Sequence, residues 1–425
     1  MLGLKFIREN TEIVAAALKN RFVDLGLAHL LELDQQKRVI VTEVEQLKQK
    51  RNIASQRIAA LVRENADIAD KTNALKRLSL EIKEQDLRIF KIQEKIHNIL
   101  IRIPNLPHNS VPVGKDAKAN VVVKKWKEPQ KVDFIAKDHI RLAEELGIID
   151  FRSAAKISGA NFVLFKGAGA SLERALINFM LDLHIKKHGY TEVSPPLLVN
   201  RQTMFGTGQI PKLEDDMYKL EDDDLFLIPT AEVPVTNIHS NEILSSDDLP
   251  ICYTAYTPCF RREAGSYGKD TRGLVRVHQF DKVEMVKLVR PENSYMELET
   301  ILSNAEEILQ ALNLPYRVLS LSTGEISFAA AKCYDIEVWA SGIEKWLEVS
   351  SCSNFTDFQA RRANIKFKDV PTGKIAYVHT LNGSGLALPR VVVAIIENYQ
   401  QKDGRIRIPE VLQSYMDGLE FINAN

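Results

Sequence analysis

The sequence predicts an α+β protein in which a long antiparallel helical hairpin precedes a body built on an antiparallel sheet. Three observations carry this expectation. Two consecutive stretches between Leu33 and Ile103 repeat apolar residues at alternating spacings of three and four. A segment with three prolines then breaks the helical pattern over 103–114. Beyond it, short β-type runs are separated unevenly by loops and single helices, which argues against a regular βαβ repeat.

The 425 residues suffice for two or three domains, and 45% hydrophobic content is normal for a folded chain. Lys+Arg and Asp+Glu are equal at 56 each, so any case for a nucleic-acid partner must come from where the charges lie. Cys252, Cys259, Cys333 and Cys352 are scattered without a CxxC pair, which argues against a disulfide framework and against structural zinc. The N-terminus lacks a sustained apolar segment, and no run approaches the ~20 apolar residues a membrane helix needs. A soluble, cytoplasmic protein is expected, with no membrane partner.

Leu4 to Asn20 reads as one short amphipathic helix, with Phe6, Ile7, Ile13, Val14, Ala17 and Leu18 on its apolar side. The first heptad series is Leu33, Ile40, Val44, Leu47, Ala54, Ile58 and Leu61, interrupted by Lys37 and Arg51. The second is Leu75, Leu78, Ile82, Ile89, Ile92, Ile96, Ile99 and Ile103, interrupted by Gln85. Arg63 to Thr72 is the natural turn between them. Helices of roughly 35 residues reach ~50 Å, so the pair, about 30–101, forms an arm. Its outer half, residues 48–77, carries eight Lys or Arg (among them Lys48, Arg51, Arg57, Arg63, Lys76 and Arg77) against Glu64, Asp67 and Asp70, a net +5 in a neutral chain. A basic tip on a stiff arm suits a phosphate backbone. The same periodicity also fits a spacer or dimerisation hairpin with solvated charges. The expected division is an N-terminal domain at 1–103, a linker at 104–114 and a catalytic domain at 115–425.

In the body, Leu172 to His188 reads as a helix, and Gly189 to Pro196 as a short strand whose double proline confines it to a sheet edge. Further β-type runs are Leu225–Ile228, Tyr334–Ala340, Trp346–Ser351 and Ala376–Leu381, with a helix near Tyr295–Leu312. No Walker A loop and no strand-linked GxGxxG occurs. The stretch from Tyr256 to Glu284 concentrates the charge. Thr257–Phe260 and Leu274–Val283 are β-type runs, and the segment with Gly265, Gly268 and Gly273 suits a long hairpin loop. Arg261 can offer a planar fork to a phosphate, and Phe280 a ring to a base. Taken alone, the stretch fits equally well a polar hairpin whose Phe280 is a core residue.

Three elements together resemble motifs 1, 2 and 3 of class II aminoacyl-tRNA synthetases. They are the Leu172–Pro196 helix and strand, the Phe260-Arg261-Arg262-Glu263 segment ending at Phe280, and Asn382-Gly383-Ser384-Gly385 leading to Arg390. With Thr230-Ala231-Glu232, Glu348-Val349-Ser350-Ser351 and the N-terminal hairpin, the whole chain resembles the bacterial type of seryl-tRNA synthetases, without departure at the motif positions. The resemblance implies that serine is activated with ATP and transferred to tRNA(Ser), and to tRNA(Sec) where that tRNA exists. It implies that Arg261 contacts the α-phosphate and the serine carboxylate, that Glu263 and Phe280 fix adenine, and that Arg390 holds the γ-phosphate. Arg262, Val349 and Ser350 join the ATP site, and Glu348 and Ser351 are the implied Mg²⁺ ligands. Thr230, Ala231 and Glu232 surround the serine ammonium, Glu284 takes the ammonium and hydroxyl, and Asn382 and Ser384 flank the hydroxyl. The motif 1 helix and strand imply a homodimer, and the arm implies a grip on the long variable arm of the tRNA.

No segment remains for an editing domain, and His278 and the four cysteines are expected to be structural. One rival function is loading an amino acid onto a carrier protein, against which the arm counts. A second is a non-catalytic RNA-binding relative, against which the intact set Arg261, Glu263, Glu284, Glu348 and Arg390 counts.

Overall fold

A computed structural model of the chain describes residues 1–63, 67–129, 133–264 and 273–423. The expected loop glycines Gly265 and Gly268, and Glu64 of the arm's charge count, lie outside the described residues. The chain divides into two compact units, Leu2–Ile103 and Pro104–Asn425, the second taking in Met1.

In the first unit the expected single helix is two, α1 (Leu4–Glu9) and α2 (Thr11–Asn20). Asn10 breaks it at φ −131°, ψ 42°, and the Thr11 hydroxyl donates to Ile7 O at 3.1 Å and Arg8 O at 3.2 Å, the carbonyls that the next helical N–H groups would use. The break turns Ile7, Val14, Ala17 and Leu18 inward while Phe6 and Ile13 stay exposed. The arm follows as α3 (Leu27–Arg63) and α4 (Ala69–Leu100). Ile40, Val44 and Ile82 are buried in its seam, with Leu47, Leu78, Ile89 and Ile92 packed against them. Toward the tip, Ala54, Ile58, Leu61 and Leu75 are half-buried, because two helices shield only one side of each seam residue. At the base, buried Asp34 accepts from Arg8 at 2.9 Å and Arg38 at 3.1 Å, fastening α1 to α3.

The second unit is organised on an eight-stranded sheet. Its strands are β1 (Val121–Trp126), β2 (Thr191–Glu192), β3 (Ile251–Phe260), β4 (Gln279–Val289), β5 (Tyr316–Ser320), β6 (Lys332–Ala340), β7 (Lys345–Asn354) and β8 (His379–Ala387). The order is β1-β5-β6-β7-β8-β4-β3-β2. All neighbours run antiparallel except the two-residue edge strand β2, which pairs parallel with β3. Alternation along β4 sorts its residues: Val283, Met285 and Val289 join the main core with Leu172 and Leu176 of helix Ala168–Lys186, Ile301 of Ser294–Ala311 and Val391 of Leu388–Asn398. Val286 and Leu288 point to the other side and pack with Ala231, Val235, Ala360 and Ala363.

The expected strand Gly189–Pro196 is reduced to Thr191–Glu192, and two further β-type runs differ from expectation. β4 begins at Gln279 rather than Leu274, because the backbone before it bonds elsewhere: Leu274 N–H donates to a histidine ring and His278 N–H to Asn161 O. Ala376–Leu381 is divided at Val378, the first part (Ile375–Tyr377) pairing with Lys366–Lys368 in a small separate sheet. The linker is stitched into this second unit. Buried Asn105 donates to Ala329 O at 2.9 Å and Phe355 O at 2.7 Å, and its backbone N–H to Phe328 O at 3.0 Å.

Candidate active site

Side chains at 280, 282 and 284 of β4 alternate to the face opposite Val283 and Met285, which puts Phe280, Lys282 and Glu284 in one row. β8 adds Asn382 and Ser384 beside them, Ser384 standing opposite Glu284 in the register. The intervening glycines face the helices. A Cβ on Gly383 would lie 2.2 Å from Ile301 Cγ2, and one on Gly385 would lie 2.5 Å from His184 Nε2, so only glycine lets β8 approach this closely. A bulge after Ser384, with Leu386 at φ 120°, ends the strand and re-aims the chain into the helix that carries Arg390.

These residues surround a cleft of about 430 Å³ lined by Thr230, Glu232, Arg261, Glu263, Phe280, Glu348, Val349, Ser350, Ser351, Asn382, Ser384 and Arg390. Three expected site residues do not line it. Ala231 is buried in the neighbouring core, Glu284 is buried behind Asn382, and Arg262 turns its guanidinium to Asp215 O at 3.1 Å.

At one end Asn382 Nδ2 bridges two carboxylates, 3.2 Å from Glu232 Oε2 and 2.9 Å from Glu284 Oε1. Gln359 Nε2 holds the other oxygen of Glu232 at 2.6 Å, and Gln359 is fixed in turn by Thr207 O and Thr380 Oγ1. Lys282, also buried, places Nζ 2.5 Å from Glu284 Oε2 and 2.6 Å from Thr230 Oγ1. Burial first, and the charge of Glu284 second, push the Glu232 carboxyl up to about 7. Among the described residues, Asn382 Oδ1 is a buried acceptor with no donor. Two acids, the Lys282 ammonium, an amide and two hydroxyls thus converge at this end of the cleft, a few placed polar groups of the kind that fix a small polar ligand.

At the other end Arg261 Nε donates to Pro229 O at 3.3 Å, and its guanidinium lies 5.2 Å from the Phe280 ring centroid. Glu263, in the left-handed region at φ 52°, pairs with Arg276. Arg390 donates through Nε to Val275 O at 3.0 Å and through Nη1 to Glu348 O at 2.8 Å, with the Glu348 carboxylate 3.5 Å away. His278 hydrogen-bonds the Arg261 backbone through both its ring, at 3.1 Å, and its carbonyl, at 2.9 Å. Ser351 stands opposite Asp335 on β6, whose carboxyl is pushed up to about 8 by burial and by the nearby Glu348 charge. Ser351 Oγ contacts Cys333 Sγ at 3.1 Å, and burial raises that thiol and those of Cys252, Cys259 and Cys352. Among the described residues no three His, Cys, Asp or Glu are grouped to hold a metal.

Lys282, Gln359, Arg276 and Asp335 belong to the site but were not singled out in the sequence. Lys282 carried a signal, since it shares the even-numbered face of β4 with Phe280 and Glu284. On the arm, Arg57, Arg63, Lys76 and Arg77 are exposed, whereas Arg51 is half-buried and Lys48 is paired with Asp86 at 3.2 Å.

Residues 1–107 match a family described as the seryl-tRNA synthetase N-terminal domain, and residues 217–399 match the tRNA synthetase class II core domain of the G, H, P, S and T enzymes. The chain is 55% identical over 416 residues to a serine–tRNA ligase of Carboxydothermus hydrogenoformans, covering 98% of each chain. It is also 55% identical to that of Syntrophobacter fumaroxidans, over 423 residues and the full length of both. A solved structure similar to it is the seryl-tRNA synthetase of Pyrococcus horikoshii complexed with ATP, at TM-score 0.94 and 40% identity over the whole of both chains. No helix among the described residues is long and apolar enough to cross a membrane.

Proposed function

Since the chain belongs to the seryl-tRNA synthetase family of class II aminoacyl-tRNA synthetases, we propose that the cleft joins L-serine to ATP and then passes the seryl group to tRNA. The activity is that of an ATP-dependent serine–tRNA ligase. The observation that carries the assignment of residues is the bridge of Asn382 between Glu232 and Glu284 in the same cleft as Arg261, Phe280 and Arg390.

In the first half-reaction the serine carboxylate attacks the α-phosphorus of ATP, the bond to the bridging oxygen breaks, and pyrophosphate leaves. Arg261 takes the α-phosphate and the serine carboxylate together, holding nucleophile and electrophile in line and neutralising charge as it develops. Phe280 stacks on adenine with the Glu263 segment beside it, and Arg390 takes the terminal phosphate. Glu232 and Thr230 hold the serine ammonium, while Asn382, fixed from behind by Glu284, and Ser384 flank the hydroxyl. In the second half-reaction the 3′-terminal hydroxyl of tRNA(Ser) attacks the seryl carbonyl and AMP leaves, so no covalent enzyme intermediate is needed. A pocket that pairs its polar atoms with the serine hydroxyl rejects alanine by roughly 10⁴-fold, because those atoms are otherwise left unpaired.

Glu348 and Ser351 fit Mg²⁺. The Glu348 carboxylate faces the cleft half-exposed, Ser351 offers a hydroxyl whose neighbour is a thiol, and both are hard oxygen donors. When bound there, the ion supplies positive charge against the phosphates of ATP.

Glu232 gives a test through pH. Its carboxyl, raised from 4.5 to about 7, is increasingly protonated as pH falls below that value, and a protonated acid does not attract the serine ammonium. The KM for serine in pyrophosphate exchange is therefore expected to rise about tenfold between pH 8 and pH 6. Glu232→Gln, which cannot ionise, is expected to bind serine weakly with little pH dependence. A wild-type KM that stays flat over this range contradicts the placement of the ammonium.

A homodimer is proposed through helix Ala168–Lys186 and the exposed edge strand β2, because a cyclic dimer buries both copies of one patch at once. Sedimentation at micromolar concentration is expected to give twice the 48.0 kDa chain mass, and a 48.0 kDa species contradicts it.

A further inference from the structure

We propose that His139 is a positioning residue for the ATP half of the cleft, a role that rests on the assignment of that cleft given above. His139 opens helix His139–Leu146 and is 2% exposed. Its Nδ1 lies 2.8 Å from Glu397 Oε1, and its backbone N–H donates to the same oxygen at 2.8 Å. Glu397 is fully buried, and its second oxygen accepts from Gly342 and Ile343 N–H at 2.8 and 3.1 Å. On the other side of the ring, Leu274 N–H donates to Nε2 at 3.3 Å. Because Nε2 accepts, the proton of Nδ1 donates to Glu397, so one tautomer satisfies both partners.

Each end of this bridge is a short step from the cleft. Glu397 is on helix Leu388–Asn398, which carries Arg390 two turns earlier. Leu274 precedes Val275, whose carbonyl accepts from Arg390 Nε at 3.0 Å, and Arg276, which pairs with Glu263. The imidazole thus ties the helix that bears Arg390 to the backbone that Arg390 grips. The approach is tight: Gly273 has φ +70°, and a Cβ there would lie 2.1 Å from His139 Nε2. Both ring nitrogens face buried groups, so the ring acts on substrate only through geometry. Displacing the Arg390 and Glu263 contacts by a fraction of an ångström misplaces the phosphates and the base of ATP while leaving the serine end untouched.

Two carboxamide variants, each reproducing one ring-nitrogen position, separate the two hydrogen bonds. His139→Asn keeps a donor at the Nδ1 position toward Glu397 and loses the acceptor for Leu274 N–H. His139→Gln keeps an acceptor near the Nε2 position and loses the donor. For H139N, the KM for ATP in pyrophosphate exchange is expected to rise about tenfold, the scale of leaving one buried donor unpaired, with kcat and the KM for serine within about twofold of wild type. H139Q is expected to stay near wild type in both, because the backbone N–H of residue 139 still holds Glu397 and the glutamine oxygen still accepts from Leu274 N–H. The proposal is overturned if H139N retains wild-type ATP dependence, if H139Q is impaired equally, or if both substrates' KM values rise together with a drop in Tm. An H139N protein that does not fold beside a folded H139Q overturns it as well, by making the contact a requirement of folding. ATP affinity measured by calorimetry without amino acid repeats the comparison independently of the serine assignment, which wild-type exchange tests by itself.

Discussion

Deleting residues 30–101 and joining the ends with a short linker is expected to leave serine-dependent pyrophosphate exchange within a few-fold of wild type, while aminoacylation of tRNA(Ser) falls by orders of magnitude. The retained activity follows from the position of the proposed activation residues, which all lie between Thr230 and Arg390, in the second unit. The lost activity follows from charge. Arg57, Arg63, Lys76 and Arg77 stand exposed on the arm, and in the proposed tRNA contact each phosphate neutralised releases counterions, so binding should depend steeply on salt. Lys48 contributes less, because Asp86 already sits 3.2 Å from its ammonium. A long variable arm is recognised by its backbone and shape, which a stiff helical pair with a basic outer half can follow without reading bases. The residual aminoacylation of the truncated enzyme should also lose most of its salt dependence. Normal charging by the truncated enzyme would make the arm a spacer, and loss of exchange as well would make it part of the fold that supports the cleft.

The second large effect concerns Arg261. Arg261→Ala is expected to lower kcat/KM for exchange by about 10²-fold or more, the scale of removing one preorganised donor from a site where charge develops. The side chain is held before substrate arrives. Nε is engaged by Pro229 O, the backbone N–H by His278 O, and the guanidinium lies over Phe280, which among the described residues leaves the two terminal nitrogens for the proposed contacts with a phosphate and a carboxylate. Arg261→Lys is expected to recover little, because an ammonium cannot present two parallel donors. Near wild-type exchange by the alanine variant would reduce Arg261 to a loop residue.

What the sequence made legible follows physical periodicity. The arm's seam is written in spacings of three and four, and every residue assigned to it from Leu33 to Ile99 is buried or half-buried. The cleft was legible where charged or aromatic residues cluster locally, as at Arg261 to Glu263 and Glu348 to Ser351. Its support was not. Gln359 reaches Glu232 across 127 residues and His139 reaches Glu397 across 258, and no local pattern encodes a contact made only when the sheet assembles. The break at Asn10 was legible in principle, since an Asn-Thr pair inside an amphipathic run offers the backbone a side-chain acceptor and donor to bond instead of the next turn. The early end of the Leu274 run had no such signal, because its N–H groups were drawn away by His139 and Asn161.

The proposed serine site, made by Glu232, Asn382 and Ser384 with Glu284 behind Asn382, is tested most directly by pyrophosphate exchange of the full-length enzyme with each amino acid in turn. Exchange is expected with serine, dependent on Mg²⁺, and lower by roughly 10⁴-fold with alanine, which lacks the hydroxyl the pocket pairs. Faster exchange with another amino acid, or none with serine, would contradict it.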